Sequence, residues 1–237
     1  MELCHRALQC RNWSVAAGDC ATQHASVRKV RSDFDLLVAW GDGDDRAGNE
    51  LFERHFDAAF RFFRNKVTED ASDLVQQTFL ACVQSRSSFR KDASFRTYLF
   101  VVARSKLYDF LRKKQRTDAR IDFGVSSILD LGLSPSGVVV AQENHKLLVH
   151  ALRCLPLDLQ VTLELYYVEQ LRGPALSEVL GVPIGTVRSR IRRGLEQLKA
   201  AMLKLEASPE RVETTLSDLD QWAAGLRLSP PDKHVTP

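Results

Sequence analysis

The sequence predicts an all-α protein: two small helical domains joined by a flexible linker, the second containing a helix-turn-helix. Three observations carry that prediction. Apolar residues recur at helical spacing on both sides of the stretch from Thr117 to Gln142. Within that stretch the period is lost and Gly, Ser and Pro collect, as expected of a linker. Near the carboxyl side, a tight turn from Gly181 to Gly185 separates a short helical segment from a long one. With 237 residues, 44% of them hydrophobic and 27% charged, the chain has room for one large domain or two small ones and is too apolar to be disordered throughout. No apolar run approaches the roughly 18 to 20 residues that cross a bilayer. The amino terminus lacks the charged-then-apolar layout of a secretory signal, so a cytoplasmic location without membrane insertion is expected.

The elements follow in order. Residues 1–32 read as a poorly structured extension, and residues 33–116 as the first domain. In Leu51–Val67, the positions of Phe52, Phe56, Phe60, Phe63 and Val67 step by 4, 4, 3 and 4, which predicts a helix with a buried aromatic face. Asp70 to Asp73 offer side chains that cap a helix start, and Leu74, Val75, Thr78, Phe79, Cys82 and Val83 then recur at helical spacing. Ser85–Ser94 is polar and basic and reads as a loop. Phe95–Gln115 follows as a longer helix with Phe95 on its apolar side. After the linker, residues 143–205 form the second domain, with one helix to about Leu155, another starting at Pro156, and a short segment from Ala175 to Leu180 that Gly181 can end. From Thr186 to Leu205 the apolar stripe is Val187, Ile191, Leu195, Leu198, Met202 and Leu205. Arg188, Ser189, Arg192 and Arg193 lie opposite it. Residues 206–237 form a second extension, with a short amphipathic stretch around Leu216, Leu219, Trp222, Ala223 and Leu226.

Charge sharpens this outline. The net charge is only +3, but Arg86–Arg120 holds 11 Lys or Arg against 3 Asp or Glu, and Ile184–Lys204 holds 6 against 1. The remaining segments are acidic, so two basic islands stand in an acidic chain. Islands of this kind attract nucleic-acid phosphates and release their counterions. The second lies on the long helix of the helix-turn-helix, where arginine reaches guanine edges as well as phosphates.

Enzyme chemistry finds little support. The run Asp42, Asp44, Asp45 resembles the start of a calcium loop with Glu53 at its end, but Arg46 and Ala47 occupy positions that such a loop needs for a ligand and a glycine. The acids read better as a loop ahead of a helix. The sequence holds no zinc-protease, P-loop or nucleophile-elbow motif. The five cysteines, Cys4, Cys10, Cys20, Cys82 and Cys154, include no C-x-x-C pair and read as reduced thiols. Cys4, His5, Cys10, Cys20 and His24 match no standard zinc spacing, so neither metal nor cofactor is expected.

Four stretches in order, DLVQQTFLACV, FRKDASFRTYLFVVARSKLYDFLRKKQR, LPLDLQVTLELYYVEQL and VLGVPIGTVRSRIRRGLEQL, resemble regions 2 and 4 of bacterial RNA polymerase sigma factors of the extracytoplasmic-function (ECF) class. The resemblance implies a protein that binds core RNA polymerase, directs it to promoters and helps melt the DNA, while the polymerase performs the catalysis. It implies that the D-x-x-Q-x-x-F pattern of Asp73, Gln76 and Phe79 grips the clamp coiled coil, with the flap as a further polymerase contact. It also implies that Phe89, Arg90, Lys91, Ser94, Arg96, Thr97 and Tyr98 capture and melt the −10 element. Arg104, Lys106, Asp109, Arg112 and Lys113 would then touch the −10 duplex, and Thr186, Arg188, Ser189, Arg192 and Arg193 the −35 element. Many members are restrained by an anti-sigma protein, so such a partner is part of the expectation. Tyr98 stands where the family usually has Trp, Ser105 where Asn is usual, and LRGPAL around Pro174 departs from the common opening of the helix-turn-helix. A start of translation near Val27 or Val30 would bring the amino terminus close to the first family-like residues. The alternative reading is a stand-alone helix-turn-helix regulator, for which the region 2 motifs would have no use.

Overall fold

The computed structural model describes residues 31–67, 70–85, 94–114, 122–124, 126–128, 143–205, 208–220 and 223. Among them the chain is helical, with one isolated bridge between Ser127 and Pro156. Helix α1 (Asp33–Gly41) went unread in the sequence. It is capped by Ser32, whose Oγ accepts from the Asp35 amide at 3.2 Å. Asp44 caps α2 (Asp45–Arg64) by accepting from the amides of Arg46 and Ala47, both at 3.1 Å. The acidic run is thus a turn and a helix cap, and α2 begins six residues before the expected start at Leu51. Its buried face is Leu51, Ala58, Ala59, Phe62 and Phe63. Phe52, Phe56 and Phe60 are half-buried and stack along the flank, with ring centroids 4.9 and 5.5 Å apart.

Helix α3 (Ala71–Gln84) starts at Asp70, which makes no side-chain cap bond, contrary to the expectation of an acidic cap. Asp70 instead pairs with Lys114 at 3.5 Å. Helix α4 (Phe95–Lys114) is capped by Ser94, whose Oγ accepts from the Thr97 amide at 3.1 Å. Phe95 is core, as expected.

Helix α5 (Glu143–Arg153) leads through Pro156 into α6 (Leu157–Leu163), which passes without a break into a π-helical turn, Glu164–Val168. Helix α7 (Gly173–Leu180) ends at Gly181, with φ +65°, a left-handed conformation that glycine adopts without strain. The Val182 amide donates back to the Ser177 carbonyl at 3.2 Å, closing the C-terminal turn. Helix α8 (Ile184–Lys204) follows, and Gly194 lets it approach α6 so closely that a Cβ there would lie 3.1 Å from Leu163. Helix α9 (Pro209–Ser217) lies in the carboxyl extension.

The two expected domains share one hydrophobic cluster. It runs from Leu36 through the α2–α4 residues Phe62, Leu74 and Leu107 to Leu157, Val161, Leu165, Leu176 and Val187. A second cluster joins Leu148, Leu152, Leu198 and Met202 to Val212, Leu219 and Ala223, so the carboxyl extension covers the second domain. Parts of the expected linker are seated as well. Phe123 stacks on Tyr108 with centroids 4.5 Å apart, and the amides of Leu157 and Asp158 donate to the carbonyls of Ser126 and Phe123, both at 3.0 Å. For these residues the flexible reading is corrected: the buried Phe123 and Ile128 anchor them.

Candidate nucleic-acid interface

Helix α8 presents the clearest basic surface. Val187, Leu198 and Met202 face inward, while Arg188, Ser189, Arg192 and Arg193 are exposed, as their spacing predicts. Ser189 donates to the Thr186 carbonyl at 2.9 Å, and Thr186 is half-buried at the helix start. The Arg192 side chain is 80% exposed and only 4.0 Å contact is made with Glu196, so the guanidinium is available to a ligand. Arg190, by contrast, turns inward to Asp158 at 3.0 Å.

On α3, Asp73, Gln77, Leu80 and Gln84 form an exposed strip, with Gln76 half-buried beside it. Leu80 is 43% exposed, an apolar side chain amid polar ones. Phe79 does not belong to that strip. It is buried and packs on Phe52 at 4.9 Å, so the expected polymerase contact is corrected to a core residue that holds α3 in place.

Helix α4 carries Arg96, Arg104, Lys106, Arg112, Lys113 and Lys114 of the first basic island. Phe89, Arg90 and Lys91 lie outside the described residues. Thr97 is buried with its hydroxyl against Ser94 at 2.9 Å, so it supports the helix start and cannot touch DNA in this arrangement, a second correction. The half-buried Tyr98 donates its hydroxyl to the Cys82 carbonyl at 3.2 Å. Burial pushes the Cys82 thiol up to about 12, which keeps it protonated and unreactive. Asp109, Arg112 and Lys113 are exposed, and Lys106 is half-buried.

Arg96 and Arg104 point elsewhere. Arg96 pairs with Glu169, and Arg61 of α2 meets the same carboxylate at 3.3 Å. Lys66 is fully buried; its ammonium donates to Glu164 and to the Phe62 carbonyl, and sits 4.1 Å from the centre of the Phe62 ring. Burial holds this ammonium below the usual lysine range, while Glu164 opposes the shift. Asp158 gathers Tyr108 at 2.5 Å, Arg104 at 3.9 Å and Arg190 at 3.0 Å. Burial and the adjacent Asp158 both raise the Tyr108 phenol. Sequence reading missed Arg61, Lys66, Asp158, Glu164 and Glu169. Their one signal was charge inside apolar stretches such as Leu157–Leu171, and the π-helical turn hid its register.

The arrangement has counterparts among known proteins. A model of sigma-70 region 2 matches residues 51–117, and one of sigma-70 region 4 matches residues 145–198. An ECF RNA polymerase sigma-E factor of Haemophilus influenzae is 27% identical over 71% of this chain and 94% of its own. The ECF RNA polymerase sigma factor SigW of Bacillus subtilis is 27% identical over 65% of this chain and 85% of its own. Among solved structures, CnrH in complex with the cytosolic domain of CnrY aligns at a TM-score of 0.53 and 25% identity, covering 74% of this chain and 99% of that one. Fold and basic surfaces together thus define a transcription initiation factor of the sigma-70 type. The chain belongs to the ECF family of RNA polymerase sigma factors, proteins that guide core polymerase to promoters. No helix among the described residues is long and apolar enough to cross a membrane.

Proposed function

We propose that this sigma factor divides its work between three surfaces. The exposed strip of α3, with Asp73, Gln76 and the apolar Leu80, docks on the clamp coiled coil of core polymerase. Phe89, Arg90, Lys91 and Ser94, with Arg96, Tyr98, Arg104, Lys106, Arg112 and Lys113 of α4, hold the −10 element and its displaced strand by charge and stacking. Arg188, Ser189, Arg192 and Arg193 of α8 read the −35 element from the major groove. Catalysis belongs to the polymerase, and the protein works in the cytoplasm. The solved complex of CnrH with the cytosolic domain of CnrY supports a protein partner for this chain as well, in the role of an anti-sigma factor.

The observation that carries this reading is the exposed row of three arginines and a serine on the second helix of the helix-turn-helix. Its test is run-off transcription from a genomic fragment library with purified protein and core polymerase. Transcripts that need both components are expected, and aligning their start sites yields the two promoter elements. DNA binding by the protein alone, without such transcripts, would instead point to a stand-alone regulator.

A further inference from the structure

Ile184, Val187 and Ile191 of α8 are spaced at 3 and 4, an interval that by itself would seat Ile184 in the core beside Val187. The structure places it elsewhere. Val187 is 3% exposed and Ile184 is 41% exposed, and Ile184 belongs to neither hydrophobic cluster. It stands instead one helical turn before Arg188 and two before Arg192, so three exposed side chains follow one another along the same row of the helix. Beside it, Gly185 is exposed, and a Cβ placed there would meet nothing within 4 Å. Gly185 lies in helical backbone, so neither a turn nor packing among the described residues calls for a glycine, which weakens a helix relative to alanine. The exposed face that carries Arg188, Ser189, Arg192 and Arg193 thus begins with a branched hydrocarbon next to bare backbone.

We propose that Ile184 is a base-reading residue for the −35 element, its side chain packing on the 5-methyl group of a thymine in the major groove, with Gly185 giving the clearance for that approach. The inference rests on the sigma reading above and adds to it a contact that arginine and serine do not supply. Those side chains read the hydrogen-bonding edges of bases, whereas the thymine methyl is an apolar group on the groove floor and marks thymine against cytosine. A recognition helix meets base edges with its amino-terminal residues, which is where Ile184 lies. An exposed hydrocarbon there gains free energy by leaving water for another hydrocarbon. An apolar protein surface is a poorer occupant. It would strip water from Arg188, Arg192 and Arg193 without offering them counter-charges. Nor does Ile184 belong to an apolar patch: Leu203, the other exposed large apolar residue of α8, lies at the far end of the helix.

The test uses the full-length protein with core polymerase and a promoter duplex found by run-off transcription, with binding followed by electrophoretic mobility shift. Each thymine of the −35 element, on either strand, is replaced singly by deoxyuridine, which removes only the 5-methyl group. With the wild type, one replacement is expected to weaken binding about fourfold, the value of one buried methyl group. Ile184→Ala should weaken binding to the thymine duplex at least as much, and abolish the difference between thymine and deoxyuridine at that position, with the Tm unchanged. Ile184→Val keeps a branched hydrocarbon and should retain the difference. Gly185→Ala should weaken binding to both duplexes alike. If Ile184→Ala does not fold, as judged by circular dichroism, Ile184→Gln takes its place with the same expectation. A −35 element in which no thymine methyl matters, or a difference that survives the loss of Ile184, would overturn the proposal, as would wild-type affinity in Gly185→Ala. Arg192→Ala on the same duplexes separates the two readings. If it loses binding while every deoxyuridine is silent, only the Ile184 contact fails. If no fragment gives core-dependent binding or transcripts, the sigma reading fails and the contact fails with it.

Discussion

His55 shows how a single side chain ties stability to pH. Its Nε2 lies 2.7 Å from Asp33 and its ring centre 5.0 Å from that of Phe95. Burial outweighs the carboxylate and holds the imidazole below its ordinary value of 6.5. The unfolded chain therefore takes up the proton first as pH falls. The contribution of His55 is complete above pH 6.5 and is lost as pH drops from there toward the folded value. Urea midpoints measured from pH 7.5 to 5 should fall with acidity, and less steeply in His55→Gln; parallel curves would contradict this. Packing is equally local at Gly48, where a Cβ would lie 2.6 Å from the Trp40 indole. Gly48→Ala should cost about 1–3 kcal/mol and lower the Tm, as overpacking does. Neither residue announced itself in the sequence, because Asp33, Trp40 and Phe95 reach them only through the tertiary fold.

Among elements, those whose role rests on spacing were the most legible. The stripe of α8 placed Arg188, Ser189, Arg192 and Arg193 outward, and Gly181 marked the turn before it. Period alone could not separate the inward from the outward aromatic residues of α2, where Phe62 and Phe63 are core and Phe56 and Phe60 only half-buried. The family resemblance, not the period, assigned Phe79 and Thr97 to ligands when both are buried, because a family motif mixes residues that touch a partner with residues that hold the helix. This distinction separates two substitutions. Arg192→Ala changes an exposed side chain and should leave the Tm unchanged while reducing promoter-dependent transcription about tenfold or more, in the range of one lost base contact. Gln76→Ala should weaken binding to core polymerase in a fluorescence titration while leaving DNA contacts intact. Unchanged affinity there would remove Gln76 from the docking strip.

For the whole molecule, the sequence read as two units on a flexible tether, and the structure joins them through a shared hydrophobic cluster and a charged seam. The seam escaped the sequence because its pairs are far apart in the chain: Arg61 with Glu169, Lys66 with Glu164 and Tyr108 with Asp158. Under the proposed assignment of α4 to the −10 element and α8 to the −35 element, the two basic surfaces act at separate places, whereas here Arg96 and Arg104 are held by acids from the other half. In this structure the two halves are packed together, so the proposed use of both surfaces at once predicts that they separate. The most direct measurement is the distance between spin labels on Glu53→Cys in α2 and Lys199→Cys in α8, both exposed, with and without core polymerase and promoter DNA. A single short distance in the free protein that lengthens in the complex is the predicted result. The same distance in both states, or an open distribution in the free protein, would contradict the account.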